Sequence, residues 1–488
     1  MIETQNLSSS SLYLAIDQGG HASRALVFDY RGNVVAEGHQ AISISRPQPD
    51  WVEQDPEELV ESIRIAVDKA VATLGQHRHR LVAAGLATQR SSIACWDKQT
   101  GAALTPVISW QDRRAHDWLD RFSAYTEKIH HNTGLPLTAH YGVSKMRWCL
   151  DHVPAVKQAR EQGRLALGPM SSFLLFRLLE ERPLLVDPAN ASRTLLWSLK
   201  GLDWDPELLN LFDVPLDLLP RSVPTRFEFG HLPIGDQRVP LRIVNGDQSA
   251  AMFAYGRLQP DTAYINTGTG AFVSRPAGHY RGYARRLLAS IILQENDETT
   301  YVLEGTVNGA GSALDWVTRE LGLDRLFERL PEWFARSSTP PLFLNGISGL
   351  GSPYWIPDFA SRFIGEGEDW EKAVAVVESI IFLLQANLEE MLKLSSPPQQ
   401  IQISGGLASL DALCQRLADV TGLPVYRPVE REATARGIAY LLAGGPAHWP
   451  ETDLGIWFKP APNPPLIERY RHWRDAMQTA MRNESSAA

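Results

Sequence analysis

One pattern occurs twice in this chain, roughly 250 residues apart, and it constrains the fold more than any other feature. A short apolar run, Leu12 to Ile16, enters Asp17-Gln18-Gly19-Gly20-His21-Ala22-Ser23-Arg24 and leaves through a second run, Ala25 to Asp29. Later, Ala263-Tyr264-Ile265 enters Asn266-Thr267-Gly268-Thr269-Gly270 and leaves through Ala271-Phe272-Val273. Short apolar runs bounded by Gly-rich polar turns read as strands. An echo at this distance predicts two domains of like design, 1–250 and 251–488, facing each other across a cleft. The 488 residues suffice for that, at roughly 100 to 200 residues per domain or more.

The elements around the echo follow from local chemistry. Tyr30-Arg31-Gly32-Asn33 turns into Val34-Val35-Ala36, completing an antiparallel meander. Asp55 caps and Pro56 opens a helix whose Leu59, Ile63, Ala66, Val67, Ala70 and Leu74 recur at helical spacing. Leu81 to Ala87 and Arg242 to Val244 read as strands, and residues 110–235 mainly as helices and polar loops. Glu371 to Leu394 is a long helix. Ile401-Gln402-Ile403 is a strand running into Ser404-Gly405-Gly406-Leu407-Ala408 and then a helix through Leu417, and Pro464 to Met481 a closing helix before a frayed tail, 483–488.

Charge and composition narrow the partners. A net charge of −9 disfavours a nucleic-acid backbone or an anionic membrane as the main partner, and small neutral ligands fit better. Cys95, Cys149 and Cys414 form no disulfide or metal-ligand pattern. No signal peptide or membrane span is visible, so a cytoplasmic protein is expected, with homo-oligomerisation left open.

Gly-rich turns at strand ends suit phosphate groups, since free backbone N–H groups point at the ligand. Phosphoryl transfer needs such a cradle, a carboxylate for Mg²⁺ and a base for the accepting hydroxyl. Asp17 is the metal candidate, with Gly19, Gly20, Ser23 and Arg24 as phosphate contacts. Gly268, Thr269 and Gly270 form a second cradle, and Asp247, in Gly246-Asp247-Gln248, is the candidate base. Singly each has a bland reading: an Asp-Gly turn, a plain hairpin, a tight strand-to-helix junction at Gly405-Gly406. Neither a Walker loop nor a G-x-G-x-x-G fingerprint is present.

Taken in order, these residues resemble the FGGY carbohydrate kinases, and within them the glycerol kinases. The motifs are Asp17-Gln18-Gly19 through Ala25, Trp51-Val52-Glu53-Gln54-Asp55-Pro56, Thr88-Gln89-Arg90, Trp110-Gln111-Asp112-Arg113-Arg114, Asn190-Ala191-Ser192-Arg193-Thr194, Leu202-Asp203-Trp204-Asp205, Gly246-Asp247-Gln248, Gly268-Thr269-Gly270, Gly349-Leu350-Gly351-Ser352-Pro353-Tyr354-Trp355 and Gly405-Gly406. The resemblance implies an α/β fold of two ribonuclease-H-like, actin- and hexokinase-like ATPase domains around a central cleft. It also implies Mg²⁺ and ATP as cofactors, and phosphorylation of a terminal hydroxyl of a small polyol or sugar, with Asp247 as base and Asp17 at the Mg²⁺. Gly19, Gly20, His21, Ser23, Arg24, Gly268, Thr269, Gly311, Asp315, Gly405 and Gly406 would then hold ATP. Arg90, Ser91, Trp110, His140, Asp247, Gln248 and Phe272 would line the acceptor pocket.

This chain departs from the pattern in that pocket. Ser91 stands where the family has Glu, and His140 where it has Tyr. A shorter, neutral Ser91 weakens the case for glycerol and suits a longer polyol or a keto-sugar. His21 replaces a hydroxyl residue in the phosphate turn, either meeting phosphate or pointing to solvent; a weakened, nucleotide-binding regulator is the alternative it raises. Gly235-Asp236-Gln237-Arg238 lacks a Gly-rich regulatory loop, so sugar-bisphosphate control is not expected.

Overall fold

The computed structural model describes residues 11–278, 284–295, 298–336, 339–429, 432–447, 449 and 455–487. The first half is built on the predicted meander, β1 (Leu12–Gln18), β2 (Ala22–Asp29) and β3 (Val34–Ala41). Asp29 closes its second turn, one carboxylate oxygen accepting from the Arg31 and Asn33 N–H groups at 2.8 and 2.9 Å. Helix α1 (Pro56–Leu74) starts where the sequence predicts: the Asp55 carboxylate accepts from the N–H groups of Glu57 and Glu58. Its apolar stripe is buried in the same core as β1 and β2. At Gly38 a Cβ would lie 2.0 Å from the Ala66 carbonyl oxygen, so only glycine lets β3 approach α1 this closely.

The chain returns as β4 (Leu81–Thr88), parallel to β1, and later as the hairpin β5 (Arg226–Ile234) and β6 (Gln237–Gly246), with β6 parallel to β4. The six-stranded order is β5-β6-β4-β1-β2-β3. Here the expectation of helices and loops through 235 is corrected. Strand β5 is masked in the sequence by Gly230 and Pro233, residues tolerated in a strand because it lies at the sheet edge. A short helix, α2 (Asp247–Ala251), follows β6 directly.

The second half repeats the plan. Strands β7 (Thr262–Thr267), β8 (Ala271–Pro276), β9 (Leu288–Glu295), β10 (Glu298–Val307), β11 (Gln400–Gly405), β12 (Val425–Arg427) and β13 (Ile456–Phe458) form one sheet in the order β9-β10-β8-β7-β11-β12-β13. The run β10-β8-β7-β11-β12 has the same strand directions as β3-β2-β1-β4-β6: antiparallel twice, then parallel twice. Around this sheet lie α3 (Gly311–Leu321), α4 (Asp369–Leu392), α5 (Asp411–Thr421) and α7 (Pro464–Ala487), whereas α6 (Ala433–Leu442) packs on the first-half sheet. In α4 the buried Glu378, which interrupts the apolar run in the sequence, is held by Arg416 and Arg469. Helix α7 runs past the predicted stop, so 483–487 are helical and not a frayed tail; no Gly or Pro interrupts them. Leu466, Tyr470, Trp473 and Met477 bury it on its own chain.

The halves interlock. Ile438 and Ala439 of α6 pack with Tyr13, Ala15, Phe28 and Ile243 of the first half. At Gly437 a Cβ would stand 1.8 Å from the Ala250 carbonyl oxygen, so α6 and α2 touch backbone to backbone. Arg436 adds a hydrogen bond to the Gly32 carbonyl at 3.2 Å. Cys95, Cys149 and Cys414 are buried free thiols.

Candidate active site

Parallel strands aligned in register deliver their carboxyl ends to one edge, where open α/β sheets bind ligands. Asp17 and Asn245 both pair with Ala87, so Asp17, Arg90 just past β4 and Asp247 just past β6 leave the sheet together. Asp17 is 6% exposed, and its Oδ1 has no hydrogen-bond partner. Burial, then the nearby Asp247 carboxylate, push its pKa up to about 7 against the pull of Arg24, whose Nη1 lies 3.6 Å from Oδ2. Asp247 is half-buried; burial raises its carboxyl, with Arg90 and a hydrogen bond from the Gln248 N–H at 2.6 Å opposing.

The Gly-rich turn between β1 and β2 is tight, the Gly19 N–H donating to the Ala22 carbonyl at 3.0 Å. It is braced from below: Gln54 Nε2 donates to the Gly20 carbonyl at 2.9 Å, and Gln89 Nε2 to Gln54 Oε1 at 2.8 Å. Gln54 and Gln89 were not candidates from the sequence, although both lie in quoted motifs. His21 is exposed. Ser23 is a correction. Strand alternation turns it away from the turn, fully buried against α1, where its hydroxyl pairs with Ser62 Oγ at 2.8 Å. Arg24, its neighbour, faces Asp17 instead.

The corresponding turn in the second half is folded onto the start of α3. The Gly311 and Ser312 N–H groups donate to the Gly268 and Thr269 carbonyls, both at 3.0 Å, and a Cβ on Gly311 would meet Gly268 O at 2.7 Å. Thr269 and Asp315 are exposed. Gly405 has φ +93° and lies so near β7 that a Cβ would be 2.3 Å from Thr267 O. Gly406 opens into free space, and a short 3₁₀ turn, Gly406–Ser409, leads from it to α5 at Asp411.

The residues expected on the acceptor side are placed as follows. Arg90 is nearly buried; its guanidinium donates to Gln248 Oε1 and, at 3.4 Å, to Ser249 Oγ. Trp110 and His140 stand ring to ring at 5.4 Å. Lys145 positions the His140 segment by donating to the carbonyls of Ala139, His140 and Tyr141 at 2.7, 2.8 and 3.1 Å. Phe272 is half-buried on β8 opposite Thr306, on the face that also carries Glu304. Glu304 makes a buried ion pair with Arg193 of the first half, and Ser290 Oγ accepts from Arg193 at 2.8 Å. Arg193 appeared in the sequence only as part of a motif, and Glu304 in none; a single acid inside a β-rich run carries no signal of its partner. Away from this cleft, a cavity of about 1180 Å³ is lined by Arg285, Arg286, Tyr354, Trp355, Lys393 and Arg474, among others.

Two sheets with the same run of strand directions, each with a Gly-rich turn between its paired antiparallel strands, define the two-domain fold of the actin- and hexokinase-like ATPases. Solved structures share this fold: Plasmodium falciparum glycerol kinase with ADP (TM-score 0.86, 22% identity, 96% of this chain and 98% of that one) and Rhodospirillum rubrum xylulose kinase (TM-score 0.86, 20% identity, 96% and 98%). The N-terminal domain of the FGGY family of carbohydrate kinases matches residues 12–254 and its C-terminal domain residues 263–444; the chain belongs to that family. It is 34% identical to a glycerol kinase of Deinococcus radiodurans over 458 residues, 92% of this chain and 91% of that protein. With glycerol kinase 2 of Thermotoga maritima it shares 32% over 492 residues, 96% and 98%.

Proposed function

We propose that this kinase transfers the γ-phosphoryl group of Mg·ATP to a terminal hydroxyl of a small polyol or sugar. The observation that carries the reading is the gathering of Asp17, Arg90 and Asp247 at one sheet edge of the first half, with a second Gly-rich turn, Gly268–Gly270, folded onto α3 in the other half. Asp247 takes the hydroxyl proton; its raised carboxyl is a better base than an ordinary surface aspartate. Asp17 offers an unpartnered, buried carboxylate oxygen, a hard donor of the kind Mg²⁺ prefers, and would hold the ion directly or through water. The ion would neutralise phosphate charge. Gly19 and Gly20 from the first half, and Gly268, Thr269 and Gly406 from the second, would hold the nucleotide; Arg90, Trp110, His140, Gln248 and Phe272 would hold the acceptor.

On this reading residues 1–250 carry the acceptor and the phosphate turn, and 251–488 the nucleotide. The names of the relatives favour glycerol as the first acceptor to try. The three buried free thiols support a reducing, cytoplasmic setting, and no helix among the described residues is long and apolar enough to cross a membrane. The test is ADP release from Mg·ATP across glycerol, erythritol, xylitol, ribulose, xylulose and dihydroxyacetone, alongside sugar acids. Turnover stimulated by none of them, with ATP still bound, refutes the proposal and favours a nucleotide-binding regulator.

A further inference from the structure

Three polar side chains of the first half lie where apolar ones would be expected: Gln54, Gln89 and Ser92 are 2%, 3% and 1% exposed. Buried amides and hydroxyls have to find partners, and these find one another. The Trp110 N–H donates to Ser92 Oγ at 3.1 Å, Ser92 Oγ to Gln89 Oε1 at 3.3 Å, Gln89 Nε2 to Gln54 Oε1 at 2.8 Å, and Gln54 Nε2 to the Gly20 carbonyl at 2.9 Å. One continuous run of hydrogen bonds therefore joins Trp110 to the glycine turn. Its direction is fixed from both ends. The Trp110 N–H can only donate and the Gly20 carbonyl only accept, so each group between them has one orientation. Bonds aligned head to tail in a buried setting strengthen one another.

The backbone holds both ends of the run in one frame. Residues Glu53–Gln54 pair antiparallel with Val107–Ile108, just before Trp110. The Ser109 N–H donates to the Val52 carbonyl at 2.9 Å, and the Val52 N–H to Asp112 Oδ2 at 2.6 Å. In the middle, the Gln89 N–H donates to the Gln18 carbonyl at 3.1 Å, which ties the run to the end of β1 beside Asp17. Apolar side chains could fill this volume without the desolvation that amides and a hydroxyl cost. What they could not supply is a set length and direction, because apolar contact is non-directional and a hydrogen bond weakens steeply as it stretches or bends.

We infer that Gln54, Gln89 and Ser92 are positioning residues that hold the acceptor seat at Trp110 at a set distance from the phosphate seat at Gly19 and Gly20. This rests on the kinase reading above, which assigns those two seats. The three side chains act through the Trp110 N–H and the Gly20 carbonyl, and so on the gap between the hydroxyl oxygen and Pγ. Transfer needs the reacting atoms about 3 to 3.5 Å apart, and a misplacement of about 1 Å can cost about 10²-fold. Breaking the run leaves each seat formed but lets one drift against the other. The loss then falls on turnover at saturation and spares the affinity for either ligand.

The experiment measures kcat and both KM values for Gln54→Met, Gln89→Met and the double variant, with whichever acceptor of the panel above the wild-type enzyme turns over fastest. Met keeps the length of Gln and removes its hydrogen bonds. Each single variant is expected to lose at least fivefold in kcat, with KM for the acceptor and for Mg·ATP within threefold of wild type. The double variant should lie no more than threefold below the poorer single one, because both substitutions break one run. A smaller fall in kcat, a larger change in either KM, or losses that multiply in the double variant overturns the inference and leaves the kinase reading intact; wild-type turnover stimulated by no acceptor overturns both. If the Met variants do not fold, amide hydrogen exchange decides. Mg·ADP alone should slow exchange of the Trp110 N–H at least fivefold in wild type and less than twofold in Ser92→Ala. Less slowing in wild type, or similar slowing in both proteins, overturns the inference.

Discussion

Replacing Asp17 by Asn should stabilise the nucleotide-free protein at alkaline pH while removing its activity. The carboxyl titrates near 7 in the folded chain against 3.8 as its reference value. Between those values the folded protein binds a proton that the unfolded chain has released, so stability falls as pH rises from about 4 to about 7 and is level above. At about 1.4 kcal/mol per pH unit, the whole interval is worth at most about 4 kcal/mol, and roughly 2 to 4 kcal/mol is expected once Asn has lost the contact with Arg24. Guanidinium unfolding in EDTA, followed by tryptophan fluorescence and circular dichroism from pH 4.5 to 8.5, measures it. Asp17→Asn should match wild type at the acid end and exceed it at pH 8, and Mg·ADP should narrow the gap by stabilising wild type more. A variant less stable than wild type at pH 8, or a difference independent of pH, would refute the account of Asp17 as a carboxylate held at an energetic disadvantage.

Further expectations can be checked with the same preparations. Asp247→Asn should lower kcat by about 10² to 10⁴ with nucleotide affinity changed less than threefold, read by steady-state kinetics and calorimetry. Glu304→Gln should destabilise by about 3 to 5 kcal/mol, because Arg193 is left buried without its counter-charge; replacing both by Met should recover most of that loss in the denaturation midpoint. The Glu304 carboxyl, which burial would raise, is held below its ordinary value by Arg193 and Arg90, so the pair's contribution persists above pH 4.5 and is lost as pH falls further. Gly405→Ala meets both a positive φ and the Thr267 carbonyl, and should weaken ADP binding at least tenfold in calorimetry as β11 moves away from β7.

The doubled strand-turn-strand pattern made the two-sheet architecture legible, because a strand entering and leaving a Gly-rich turn is written in consecutive residues. The same locality exposed Asp17, Arg90 and Asp247. What stayed hidden was whatever depends on pairing across distance. Ser23 reads as a phosphate contact because it follows the glycines, yet β2 is already running there and strand alternation sends it to Ser62 on α1. Strand β5 was hidden by Gly230 and Pro233, which an edge position permits and a central one would not. Glu304 could not be matched to Arg193, 111 residues away, until the two sheets faced each other.

The site's charges bear on how such a cleft would work. Asp247 adds to the cost of ionising Asp17, while Arg90 offsets the burial of Asp247 and of Glu304, and these groups lie where the halves meet. On the proposed reading a divalent ion would relieve the crowding of the two carboxylates. Ligands that remove such penalties bind the cleft more tightly in the conformation that buries them, so binding and closure are thermodynamically linked. Because α6 from the second half packs beneath the first-half sheet at Gly437, the halves cannot separate as free beads; any closing motion must pivot about the α2–α6 contact. A bulky residue at Gly437 should therefore disturb both affinity and turnover without touching either ligand.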